Sequence, residues 1–346
     1  MRIGIHCGYT GGFTDIAAEV TELESLGLDS VVVAEGYSFD AVSQLGYLAA
    51  LTSRATLVSG ILPIYTRTPS LTAMTAAGLD FVSDGRFMLG LGTSGPQVIE
   101  GFHGVAYDSP LQRTREVVEI CRQVWRREPV VHDGSAYTLP LPPDQGRGLG
   151  KPLKLINTPI RADIPVSIAA IGPKNVALAA EIAQAWHPIF FLPDRAHEIW
   201  SQPLAAGTSR RDEGLGPLRI VTSVPVAIAE HPETLIDAAR PNLALYIGGM
   251  GARGRNFYNE LACRYGFAEQ AARIQELYLA GRKREAAAAV PDELVRRTTL
   301  IGPRGYVAER LAAFADAGVT TIFAQPIDHS RAGRRSAVQS LIELAS

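Results

Sequence analysis

Short, continuous apolar runs rich in β-branched residues alternate along this chain with segments whose apolar residues recur at helical spacing, and the alternation is repeated to a total of eight runs. Runs without polar alternation belong to strands covered on both faces, as in a parallel sheet wrapped by helices. Arg2 to Cys7 is the first run; Ile16, Val20, Leu23 and Leu26 follow at helical spacing until Gly27 stops the pattern. Ser30 to Ala34, Thr56 to Ile61 and Phe87 to Leu91 are the next three. Between them lie a helix-like segment, Asp40 to Thr52, and a helix opened by Pro69 and closed by the Asp84, Gly85 turn. Ile164 to Ala170, Ala185 to Phe191, Leu218 to Ala229 and Thr320 to Ala324 supply the other four, with a helix from Pro173 to Ala183 after the fifth.

Two stretches break the rhythm. Roughly 129–160 reads as a hairpin, Val130 to Tyr137 about an Asp133, Gly134 turn, followed by a Pro- and Gly-rich tail to Lys151. Roughly 241–297 is helical in composition, with an Ala-rich patch at Ala286 to Ala289. Eight βα units close most economically into a barrel of about 250 residues. The 346 residues are therefore read as one α/β domain over 1–346, a (β/α)8 TIM barrel with insertions after strand 4 and after strand 7. The alternative is an open doubly wound sheet, since GLGTSG from Gly90 to Gly95 satisfies the dinucleotide pattern. That pattern normally follows the first strand, whereas here it follows the fourth and runs into Pro96.

Charge narrows the function classes. The 33 Lys plus Arg and 35 Asp plus Glu give a net charge of −2, so there is no general basic field for a phosphate backbone and no nucleic-acid partner is expected. No apolar stretch approaches the ~20 residues of a membrane span, and the first residues lack a cleavable signal pattern. A cytoplasmic protein without a membrane partner is expected. Cys7, Cys121 and Cys263 are odd in number and scattered, which fits neither a disulfide framework nor a zinc site; no metal is expected.

In a barrel, chemistry collects at the C-terminal ends of the strands, where His6, Glu35, Gly60, Ser94, Ala170 and His187 fall. Ser94, Gly95, Pro96, Gln97 and Ile171, Gly172, Pro173, Lys174 each place glycine before proline at a helix start, which exposes free N–H groups to an anion or makes an ordinary helix start. Gly60 at the end of a buried strand admits either a close backbone approach to a flat ring or a bulge that turns the chain. Trp186 and Phe190 read as core or rim, and the arginines of 113–115 and 122–127 as a solvated helix face.

VSGILPIYTRTP from Val58 to Pro69, DGRFMLGLGTSGPQVIEGFHG from Asp84 to Gly104 and AAIGPKNVALAAEIAQAW from Ala169 to Trp186, in this order, resemble the luciferase-like superfamily. Within it the chain looks like the actinobacterial coenzyme F420-dependent oxidoreductases. The resemblance implies a deazaflavin across the barrel mouth and hydride transfer between C5 of its ring and a small-molecule substrate. It further implies that Gly60 and Ile61 match a non-prolyl cis peptide behind the ring. Thr93, Ser94 and Gln97 match the loop after strand 4, and Ala170, Ile171, Gly172 and Pro173 the phosphate loop after strand 5, with Lys174 as an added cation or a solvated lysine. It also implies a homodimer.

The chain departs from its relatives where some place a glutamate after the Ser-Gly of the fourth loop, because Pro96 stands there. At the end of strand 2, Glu35, Gly36 replace the Asp-His or Glu-Ser pair of relatives. The proton donor is thus not inherited by motif; Glu35 is the first candidate, His6 and His187 the others, each with a structural role as the alternative. Two further functions remain open on the sequence alone: an FMN-dependent monooxygenase, with FMN as the alternative cofactor, and a non-catalytic flavin or deazaflavin carrier.

Overall fold

The computed structural model describes residues 1–8, 12–328 and 330–345. Among them, eight parallel strands close into a barrel: β1 (Arg2–Cys7), β2 (Ser30–Val33), β3 (Thr56–Ser59), β4 (Phe87–Gly92), β5 (Val166–Ala169), β6 (Ala185–His187), β7 (Arg219–Ile228) and β8 (Val319–Pro326). Closure runs through β1 on β8 and β6 on β7. This is the TIM barrel expected, with its insertions after β4 and β7, and it excludes the open sheet.

Two apolar cores follow from the two-residue period of a strand. One lies between barrel and helices. The other, Val32, Val58, Met88, Ala185, Val221 and Phe323, takes one residue from each of six strands and plugs the barrel interior. Two residues beyond Val58, Met88, Ala185 and Val221 come Gly60, Gly90, His187 and Ser223, and His6 of β1 joins them through Ser223. The layer above an apolar plug is therefore made of imidazole, hydroxyl and bare backbone.

Several boundaries differ from expectation. β3 stops at Ser59 rather than Ile61; the chain bulges through Gly60 and Ile61 and resumes pairing on β4 at Leu62–Pro63. At the bulge the Ser59 hydroxyl donates to Gly90 O at 3.0 Å and accepts from Gly90 N at 2.8 Å, replacing the backbone ladder. A Cβ on Gly90 would lie 1.7 Å from Ser59 O, so only glycine allows this approach. β6 ends at His187 rather than Phe191, because Pro188 interrupts it.

The first insertion carries its hairpin as His132–Asp133 against Thr138–Leu139, so the turn is the longer loop 134–137 rather than Asp133, Gly134. Buried Glu116, on the helix Pro110–Trp125, accepts the amides of Ser135 at 3.0 Å and Tyr137 at 2.8 Å and ties the loop down. Burial pushes its carboxyl up, but hydrogen bonds from Gln112 and the amides of Ala136 and Tyr137 outweigh it and hold the group below the usual range.

The second insertion does not begin at Pro241, which lies inside the helix Glu233–Ala244. Four helices between 257 and 298 lead to Leu300–Gly302, a strand that sequence reasoning missed, and it pairs with the C-terminal half of β7. The helix Arg331–Ala345 was also unforeseen. Among the described residues, no helix is long and apolar enough to cross a membrane.

Candidate active site

The polar layer forms the floor of the mouth. Ser223 Oγ lies 3.0 Å from His6 Nδ1 and 3.3 Å from His187 Nε2. His187 is 9% exposed and its ring stands 5.4 Å from that of Phe323. Burial pushes His6 down to about 4 and, with the charge of His6 added, His187 down to about 3. Both imidazoles are therefore neutral near pH 7.

Beside them the Gly60–Ile61 peptide is cis. A Cβ on Gly60 would meet Val32 Cγ2 at 2.2 Å and His187 Cε1 at 3.9 Å, so the bare glycine lets β3 pass over the plug and close to the histidine. Ile61 turns its side chain to within 3.0–3.4 Å of where a Gly92 Cβ would be. Bulge and close approach, the two readings of Gly60, occur together here, and they leave a stretch of side-chain-free backbone.

Glu35 stands just beyond the end of β2. Its carboxylate accepts Arg67 Nη1 at 2.5 Å, Arg67 Nη2 at 2.9 Å and the Ala41 amide at 2.9 Å. With donors on both oxygens, the group pins the loop after β2 to the loop before the helix Pro69–Val82 and to the start of the helix Ala41–Leu51. Its reach is spent on those partners and not on the floor.

The two glycine-proline starts are unequal. Pro96–Gly101 has six residues, too short to sustain a helix dipole, which removes the anion reading from Gly95. Thr93 and Ser94 border the mouth, Ser94 in the left-handed region at φ 56°, while Gln97 is exposed. Gly172 caps the ten-residue helix Pro173–Ile182 with no side chain on its free amides. Space around Gly172 is open, since a Cβ there would meet nothing within 4 Å. Ala170 O accepts Trp186 Nε1 at 2.8 Å and Ile171 O accepts Arg264 Nη2 at 2.6 Å, so the loop is braced from the core and from the second insertion. Arg264 Nη1 is buried without a hydrogen-bond partner, and Lys174 is exposed nearby. Trp186 is fully buried, as core, whereas Phe190 packs 5.2 Å from Tyr246.

Arg67, Ser223 and Arg264 were missed from sequence. So was the exposed pair Tyr37 and Phe102, whose rings lie 6.2 Å apart over the loops after β2 and β4. Ser223 has the inward parity of β7, but with Thr222 beside it nothing in the sequence singles it out. Among the described residues no cluster of three ligand-type side chains could hold a metal.

A barrel with a glycine-bared floor and one open helix start matches, over residues 1–321, the family model described as luciferase-like monooxygenase. The chain belongs to the luciferase-like monooxygenase family. Among relatives of this family member is the Mycobacterium tuberculosis protein whose name assigns it as a coenzyme F420-dependent oxidoreductase, Rv3520c. It is 41% identical over 92% of this chain and 93% of its own. The solved coenzyme F420-dependent tetrahydromethanopterin reductase of Methanopyrus kandleri superposes with a TM-score of 0.81, at 21% identity, over 99% of this chain and 97% of its own. An F420-dependent secondary alcohol dehydrogenase in complex with an F420-acetone adduct gives a TM-score of 0.79 at 15% identity, over 100% and 99%. At these identities the two structures speak to the fold of the luciferase-like barrel.

Proposed function

We propose that the protein is a coenzyme F420-dependent oxidoreductase that moves a hydride between the deazaflavin and a small organic substrate. The observation that carries the reading is the make-up of the strand ends: a bare glycine at Gly60 after β3 and an open, uncapped helix start at Gly172 after β5. The 41% identical relative supports the choice of cofactor. When bound, the deazaflavin supplies two-electron hydride chemistry at C5 of its ring. Gly60 and Ile61 floor the ring, and Thr93, Ser94 and Gln97 flank it. Ala170, Ile171 and Gly172 lead the chain to the phosphate and Pro173 opens the helix whose free amides face it, with Arg264 behind them and Lys174 at the rim.

Hydride delivery to a carbonyl or activated alkene leaves an anion that must be protonated. His6 and His187 sit on the floor and each carries one N–H; Glu35 holds the second loop in place instead. The exposed Tyr37 and Phe102 rings offer the substrate an apolar wall. Residues 1–346 act as one domain in the cytoplasm, as a homodimer. Leu71, Met74, Phe81 and Val82 support the pairing, for they lie along one face of the helix Pro69–Val82 and are 47%, 53%, 66% and 54% exposed.

Titration of the purified apo-protein with the deazaflavin and with FMN tests the reading. At least tenfold tighter binding of the deazaflavin is expected. Equal affinity or preference for FMN transfers the protein to flavin chemistry, and failure to bind either removes the proposal.

A further inference from the structure

We propose that the mouth selects an uncharged, largely apolar substrate, held by the rings of Tyr37 and Phe102, and turns away phosphorylated or carboxylated ones. The inference names the substrate class of the site described above and rests on the hydride-transfer reading for the reaction. The binding preference itself is a property of the chain.

Aromatic rings gather on opposite sides of the mouth. In a closed ring of eight strands, β2 and β6 stand across from one another. Tyr37 follows β2, and its ring lies 6.2 Å from that of Phe102, which follows the short helix after β4. Phe190 follows β6, and its ring packs 5.2 Å from that of Tyr246 in the insertion after β7, with Tyr258 a further 4.8 Å from Tyr246. The two groups come within electrostatic reach of each other, since burial and, next, the charge of Tyr37 hold Tyr246 above the ordinary tyrosine range. Influence from the β2 side on an element packed at the β6 side runs over the opening between them. Tyr37 and Phe102 are 65% and 67% exposed. Aromatic surface left in water on loops that border a site is surface that an apolar ligand can cover with gain.

Charge on the same arc points the same way. The loops after β2, β3 and β4, taken as 34–40, 60–68 and 93–109, carry Glu35, Asp40, Arg67, Glu100 and Asp108 as their acidic and basic side chains. Each is already engaged. Glu35 and Arg67 hold one another; Asp40 accepts the Ser43 amide at 2.7 Å, Glu100 the Tyr107 amide at 3.2 Å, and Asp108 pairs with Arg113 at 2.8 Å. A phosphate or carboxylate entering beside the rings would give up water, find the one arginine of these loops spent, and face carboxylates instead. The anion-accepting groups of the mouth, the free amides of the helix Pro173–Ile182 and Arg264, stand after β5 and in the second insertion, where the reading above gives them to the cofactor. A cationic substrate gains little, because the carboxylates of the arc already hold amides or arginines. Rings without free charge around them recognise a ligand without charge. Tyr37 and Phe102 are the specificity-determining residues.

Three probes built on one ring system test this: 2-acetonaphthone, which is neutral, 2-naphthoate, an anion, and 2-naphthylmethylammonium, a cation. Calorimetric titration of the full chain, with and without bound deazaflavin, measures each affinity. The ketone should bind at least about tenfold more tightly than either ion. Equal or tighter binding of naphthoate or of the ammonium overturns the inference, as does failure of all three to bind. In the double variant Tyr37→Ser, Phe102→Ser the ketone should lose at least about tenfold in affinity while deazaflavin affinity holds within about twofold. Unchanged ketone affinity in that variant places the substrate elsewhere and overturns the assignment. Leu149→Ser, at a residue 84% exposed in the first insertion, removes apolar surface away from the rings and should leave ketone binding as it was; a loss equal to that of the double variant reduces the effect to general stickiness and overturns it too. Should the double variant fail to fold, Phe102→Lys decides, for a cation beside Tyr37 should raise naphthoate to the level of the ketone, and an unaltered preference overturns the proposal. Deazaflavin binding without ketone selectivity sinks this inference alone. Ketone selectivity without deazaflavin binding leaves the apolar mouth standing and removes its assignment to hydride chemistry.

Discussion

Glu35 and Arg67 face each other as a two-pronged ion pair, guanidinium fork on carboxylate, with side chains 9% and 14% exposed. The pair spans the loops after β2 and β3, and the same carboxylate accepts the first amide of the helix Ala41–Leu51. Two loops that border the mouth are thus held by one anion. A partly buried fork of this kind is costly to break from one side, because the remaining charge loses its partner.

Glu35→Gln should consequently lower stability by about 1–3 kcal/mol, as should Arg67→Met. The double variant should cost less than the sum of the two by more than about 1 kcal/mol. Urea unfolding of the four proteins measures this. Strict additivity discards the clamp, and an unchanged stability with a turnover lowered about 10²-fold returns Glu35 to the role of general acid.

Gly172→Asp places a carboxylate at the open helix start. Since a Cβ there meets nothing within 4 Å, the fold should be unaffected. Deazaflavin affinity should fall at least about tenfold through repulsion of the phosphate and loss of the amide site. Full affinity in the folded variant places the phosphate elsewhere.

The histidine floor makes stability depend on acid. Both groups have folded values below the ordinary 6.5, so the unfolded chain binds more protons and folding weakens as pH falls. The contribution is complete above about 6.5 and is lost as pH drops toward about 4 for His6 and about 3 for His187. Urea midpoints at pH 7 and pH 4.5 should differ more for the wild type than for His6→Asn or His187→Asn. Equal pH dependence in all three would falsify the assignment of buried neutral imidazoles.

Phe81→Glu combined with Met74→Glu should turn a dimer into a monomer with the barrel intact, read from the mass in solution at micromolar concentration. A monomeric wild type contradicts the pairing outright.

The barrel was legible because its strands are buried on both faces, so Ser30 to Ala34 or Phe87 to Leu91 read as unbroken apolar runs that few other folds require. Leu300–Gly302 was not, since three residues beyond a helical stretch carry no period. The helix Arg331–Ala345 opens with Arg331, Arg334 and Arg335, which pair with Glu19 and Glu22 of the helix Phe13–Ser25 and so mask its apolar face. At the site, glycines and prolines spoke for themselves, because each is a backbone instruction. Glu35 could be placed at the mouth, but its partner Arg67 lies 32 residues away and no spacing announces it. Ser223 was hidden in the apolar run from Leu218 to Ala229, where it follows Thr222 and neither hydroxyl hints at two imidazoles across the barrel.

Where β3 leaves the sheet, the wall between it and β4 is held by the Ser59 oxygen, which accepts from the N–H of Gly90 and donates to its carbonyl. Along β1, β2 and β3 the wall is held as peptide joins peptide. At this point it depends on a single atom, so an alanine, which lacks only that hydroxyl, would leave both polar groups of Gly90 without their partner. The seam lies beside the mouth, and a change of one functional group there would be felt as a leak in the cylinder.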